Sequence, residues 1–173
     1  MNKVFRSNLI RISLLLLAQV LIFKHIAFSM GGVAYVHFII YPLAILMIPV
    51  GVPKPLVLIT AFLSGIIVDI FYDSPGVHAA ALVFTAYFRP LVLAFLEPYE
   101  GYKPDDVPSI YNFGFGWFVS YMSLALLVHI FTYFSVEAFS LVYFFKIFLN
   151  SIFSFFVSFL VIMTIHLIFR SKY

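Results

Sequence analysis

No cysteine occurs among the 173 residues. Dithiol redox chemistry, thiolate nucleophiles and Cys-ligated zinc are thereby excluded, although nothing follows about compartment. Charge is nearly as scarce. Asp, Glu, Lys and Arg make up 10% of the chain, where a soluble domain carries about a quarter. The net charge of +3 is too diffuse to form a nucleic-acid surface. Catalytic patterns are missing too: there is no HExxH for zinc, no GxSxG nucleophile turn and no GxxxxGK[ST] phosphate loop. Extended polar sequence is confined to EPYEGYKPDDVPSIYN, Glu97 to Asn112. These residues therefore hold no soluble catalytic or binding domain, and neither an enzyme nor a cofactor site is expected.

What is present is apolar. Hydrophobic residues make up 64% of the chain and aromatics 20%, with 23 phenylalanines; the mean hydropathy is +1.12. A chain of this length cannot hide so much apolar surface from water, so its solvent is lipid. A helix needs about 20 residues to cross the roughly 30 Å hydrocarbon layer. Apolar runs of that kind are expected to span at about 10–28, 33–49, 55–73, 77–96, 112–135 and 142–168. Gly31-Gly32, Gly51-Val52-Pro53 and Ser74-Pro75-Gly76 punctuate them. The second run is short and carries Pro42. The expected fold is a single all-α integral membrane domain of about six transmembrane helices.

Basic residues orient the spans. With both termini cytoplasmic, Lys3, Arg6, Arg11, Lys54, Lys103, Arg170 and Lys172 fall at the inner face and Lys24 alone at the outer end of a span. Lys3 and Arg6 before an apolar run, with Ala27-Phe28-Ser29 behind it, also have the outline of a cleaved leader. The Phe, Lys and His around that site and the five runs that follow read instead as a retained first span.

Polar residues within the spans carry the functional information, because charge in hydrocarbon is costly. Asp69 lies about 6 Å from the outer end of the third span. Arg89 lies about 12 Å deep from the inner end of the fourth, with its side chain leaning away from the cytoplasm. Pro90 cannot donate to the carbonyl of Ala86, and that open acceptor is the nearest expected partner for Arg89. Lys146, Asn150, Ser154 and Ser158 follow at steps of four on the last span, a polar stripe on one face. On the third, Ala61, Gly65, Asp69 and Asp73 do the same, with small residues allowing close helix approach. Together with His129 they imply a polar layer in the outer half, in which Asp69–Lys146 is the expected buried pair. His25 and His78 read as interfacial groups, each solvated separately.

One constellation is more specific. Gly65-x-x-x-Asp69, a short linker and then Gly76-x-His78-Ala79 resembles the central motif of the rod-shape-determining MreD family, with Ile66 where leucine is usual. Phe88-Arg89-Pro90 and Pro98-x-x-Gly101-Tyr102 resemble its Bacteroidetes-type form. The resemblance implies a multi-pass protein of the bacterial inner membrane without catalysis. Its implied partner is the bitopic MreC, and through it the actin-like MreB, the glycosyltransferase RodA and its transpeptidase, in the complex that directs peptidoglycan synthesis. It also implies a fold similar to the six-helix substrate-binding subunits of energy-coupling-factor vitamin transporters, with Gly65, Asp69, Gly76 and His78 shaping the hairpin between spans three and four.

Two classes of function thus stand side by side. A scaffold would use small-residue faces and intramembrane polar groups to bind a partner's helix, with Gly65, Asp69, Gly76, His78, Arg89, Pro90, Lys146 and Asn150 as candidates. A transporter subunit would line a cavity with Asp69, His129, Lys146 and Asn150. A proton-coupled carrier built on Asp69 is a third, thinner reading, since no relay stands behind that acid.

Overall fold

The structure, a computed structural model, describes residues 3–30, 34–139 and 141–168. In chain order it comprises α1 (Lys3–Leu21), a 3-10 turn (Phe23–His25), β1 (Ala27–Met30), β2 (Ala34–His37), α2 (Pro42–Leu46), α3 (Lys54–Tyr72), α4 (Val77–Phe95), α5 (Ile110–Phe113), α6 (Phe115–Ala138), a second 3-10 turn (Leu141–Tyr143) and α7 (Phe144–Ile168). Among the described residues, α3, α4, α6 and α7 are long and apolar enough to cross a membrane. They match the expected spans at 55–73, 77–96, 112–135 and 142–168 to within a turn. The Gly31-Gly32 break and the basic Arg170 and Lys172 lie outside the described residues.

The first two spans are different from expectation. α1 ends at Leu21, so 10–28 is not one helix: its last residues form the 3-10 turn and enter β1. The run 33–49 is not a spanning helix at all. β1 and β2 form an antiparallel hairpin with Ala27 opposite His37 and Met30 opposite Ala34. The chain then continues without helix through Ile40, Tyr41 turns it with helical backbone angles, and Pro42 opens the short α2 at the first helical position, where its missing N–H costs nothing. A continuous apolar run reads alike as a buried helix or a buried extended segment, because periodicity separates the two only when one face is polar. Every residue of α2 is buried.

The other four helices pack in sequence, α3 on α4, α4 on α6 and α6 on α7. The α3–α4 turn is tight because Asp73 and Gly76 both take left-handed backbone conformations, with φ of 53° and 86°. At the opposite end the polar loop after α4 is tied down. Val50 N–H donates to Asp106 O (2.9 Å) and Gly51 N–H to Pro104 O (2.8 Å). Tyr102 donates to Leu93 O (2.8 Å) and the Trp117 indole to Leu96 O (2.7 Å).

Candidate functional site

The extended segment between β2 and α2 poses an accounting problem. Backbone N–H and C=O groups inside a membrane protein must find partners, and an extended chain finds none within itself. β1 takes up one edge of β2. The other edge faces α7. Tyr35 N–H donates to Asn150 Oδ1 (3.0 Å), His37 N–H to Ser154 Oγ (3.0 Å) and Ile39 N–H to Ser158 Oγ (2.9 Å). Ser158 also returns its own proton to His37 O (3.2 Å). The fit has a simple geometric cause. Two residues of extended chain advance about 6.6 Å, and four residues of helix advance about 6.0 Å. A stripe of acceptors at steps of four therefore serves every second N–H of a strand lying alongside. The polar stripe expected on the last span exists, and what it meets is backbone. From the opposite side, Gln19 of α1 accepts from Ile40 N–H (2.8 Å) and donates to Phe38 O (2.9 Å). Sequence reasoning missed Gln19; its signal was a lone amide at the end of the apolar run Leu14–Ala18.

Asp69 is buried and does not pair with Lys146, contrary to expectation. Lys146 is exposed, its Nζ 5.1 Å from the centroid of the Tyr35 ring. Asp69 instead caps the first turn of α4, accepting from His78 N–H through Oδ1 and from Ala79 N–H through Oδ2, both at 2.9 Å. Ser74 Oγ reaches Oδ1 at 2.9 Å, and His78 Nδ1 lies 3.0 Å from the same oxygen. A carboxylate accepts only, so four donors converge on it, and an anion at a helix N-terminus is the favourable sign. His78 is likewise not an interfacial group: it is buried, with its ring among those of Tyr72, Tyr133 and Tyr41 at 4.6, 5.0 and 5.6 Å. His25, by contrast, is exposed as expected.

Gly65 is required by the same junction. A Cβ there would stand 2.3 Å from Ala79 Cα and 2.8 Å from Ala79 N, both backbone atoms that cannot yield. Gly65→Ala must force α3 and α4 apart, at a cost of about 1–3 kcal/mol. Gly116→Ala, where nothing lies within 4 Å, is expected to be neutral or stabilising by up to about 1 kcal/mol. In mixed micelles Gly65→Ala should unfold more easily than wild type and Gly116→Ala should not, and equal shifts would refute the close-approach role. Gly65, Asp69, Gly76 and His78 thus form one unit at the hairpin, with Ala79 small because Gly65 is against it.

His129, fully buried on α6, links α4 to the extended segment. Its Nδ1 lies 2.9 Å from Thr85 Oγ1 and its Nε2 2.8 Å from the Tyr41 hydroxyl. Thr85 spends its proton on Ala81 O (2.7 Å), so Nδ1 is the donor, and an uncharged ring accepts at Nε2 from Tyr41.

Arg89 does not turn to Ala86. Its Nη2 donates to Ile48 O and its Nε to the Tyr121 hydroxyl (3.1 Å), which in turn donates to Leu46 O (2.9 Å). Arg11 Nη1 reaches Met47 O at 3.3 Å. The last carbonyl of α2, at Leu46, is thereby closed by a phenol, and the next two, at Met47 and Ile48, by two cations. Pro90 sits inside α4, which continues through it to Phe95. Asp69, His78, Arg89 and Asn150 are accordingly buried groups bound within the chain, and Lys146 alone of the charged candidates is exposed. Among the described residues no group of three or more His, Asp or Glu is placed to hold a metal ion.

Comparison of the chain with protein-family models, with curated proteins and with solved structures finds no match.

Proposed function

We propose that this protein is a non-enzymatic scaffold of the bacterial inner membrane, of the MreD type, which binds the single transmembrane helix of an MreC-like partner. Through that partner it helps to organise peptidoglycan synthesis by MreB, RodA and its transpeptidase. The chain crosses six times with both termini in the cytoplasm. Its second crossing is the extended segment with α2, admissible in a bilayer because non-helical backbone is tolerated where protein buries it.

The observation that carries this reading is the α3–α4 hairpin. The residues on which the family resemblance rests, Gly65, Asp69, Gly76 and His78, form one close-packed, hydrogen-bonded unit. A motif with a joint structural purpose is better support for common descent than four scattered matches. Asp69, His129 and Asn150, which a vitamin-binding subunit would turn toward its ligand, are engaged in holding neighbouring segments together. This favours the scaffold over the transporter subunit.

The test is brief crosslinking of a tagged copy in native membranes, extraction in mild detergent and mass spectrometry of everything retained. A bitopic coiled-coil protein together with wall synthases is the expected result. Recovery of an ATPase pair, or of a stoichiometric vitamin-sized molecule, would overturn the scaffold and make the chain a transporter subunit.

A further inference from the structure

Arg89 is 3% exposed, and among the described residues no Asp or Glu pairs with it. Two of its five N–H donors are committed, Nε to Tyr121 and one on Nη2 to Ile48. Among the described residues Nη1 has no acceptor, and it is not fully enclosed. A buried cation with neither counter-charge nor a full set of acceptors is an expensive arrangement.

The space beside it is a groove of about 420 Å³ at the end of the α3–α4 hairpin remote from its turn. Val57 of α3 and Ala86 and Leu93 of α4 line its apolar part; Lys54, Arg89 and Glu97 are its charged groups. Lys54 opens α3 and Glu97 follows the end of α4, so both belong to the interfacial end, while Arg89 lies deeper. Lys54 is exposed and held at this end by the Tyr87 ring, 4.0 Å from Nζ to its centroid.

Two cations and one acid above an apolar wall match a zwitterionic headgroup with its chains attached. We propose that this groove binds an ethanolamine phospholipid of the adjoining leaflet, its phosphate between Lys54 and Arg89, its ammonium at Glu97 and its first methylenes against Val57 and Leu93. The phosphate supplies the counter-charge that Arg89 lacks. The acid distinguishes this lipid from an anionic one, whose headgroup brings Glu97 no positive charge. A volume of this size suits a headgroup and the start of its chains, with the remainder lying along the helix surface.

The test is native mass spectrometry of the full chain in detergent with an equimolar mixture of phosphatidylethanolamine, phosphatidylglycerol and phosphatidylcholine. Wild type is expected to retain the ethanolamine lipid preferentially. Glu97→Gln is expected to abolish its preference over phosphatidylglycerol. Lys54→Gln should lower retention of all three lipids roughly threefold or more, the scale of a lost charge-assisted contact. Both side chains are exposed, so neither variant endangers the fold. Equal retention of the three lipids by wild type, or an unchanged preference in Glu97→Gln, would overturn the proposal. Displacement of the lipid by excess inorganic phosphate would do so as well, since the site would then be reading free phosphate.

Discussion

Replacing Asn150, Ser154 and Ser158 together by alanine is expected to be the most damaging change of polar residues in this protein. The three side chains accept the N–H groups of Tyr35, His37 and Ile39. Without them those donors face an alanine surface, the Ile39 N–H in the buried interior and the other two part-buried. An unsatisfied buried backbone donor costs about 1–3 kcal/mol, which the Ile39 N–H incurs in full, and the part-buried Tyr35 and His37 donors add smaller costs to it. Side-chain hydrogen bonds between membrane helices are commonly worth less, about 0.6 kcal/mol on average, because a loosened helix keeps its own backbone bonds. That relief is denied to an extended segment. Thr164→Ala is the matched control: it lies on the same helix, is exposed, and its hydroxyl merely returns to Leu160 O of its own helix. Unfolding by denaturant in mixed micelles should separate the two clearly. A triple variant within about 1 kcal/mol of the Thr164→Ala protein, a loss too small for even one orphaned donor, would mean that the strand edge is satisfied in some other way.

Asp69→Asn is expected to cost nearly as much for a single atom. Oδ1 accepts from His78 N–H and Oδ2 from Ala79 N–H. Whichever way an asparagine is turned, its NH2 group confronts a backbone donor. One N–H is orphaned and the charge assistance of the remaining bonds is lost, for about 2–4 kcal/mol in all. Asp73→Asn supplies the comparison at the neighbouring turn. Asp73 is exposed, and asparagine tolerates its left-handed backbone, so this variant should stay within about 0.5 kcal/mol of wild type. Crosslinked partner recovery adds a second readout. If Asp69 acts by bracing the hairpin, recovery should fall in proportion to the lost stability. Normal stability with lost recovery would instead make Asp69 a direct contact.

Several features of this molecule could be read directly from its residues. Apolar length and Gly/Pro punctuation located α3, α4, α6 and α7 to within a turn, because a membrane helix must satisfy its own backbone and so announces itself as a long uninterrupted run. The steps of four from Asn150 to Ser158 and from Gly65 to Asp69 were legible for the same reason: helix geometry alone decides which side chains share a face. What lies opposite a face is set by tertiary packing. Asp69 and Lys146 are expected at one depth, yet the carboxylate is taken by the turn nine residues ahead of it, where four donors converge. Arg89 passed over the carbonyl left open by Pro90 for that of Ile48, just past α2 and 41 residues earlier in the chain. The run from Val36 to Ile40 hid its extended course because it has too little polar patterning to give it a period. Only the partners folded around it, Gln19 on one side and the α7 stripe on the other, made an unwound backbone tolerable there, and those contacts join residues up to 121 positions apart.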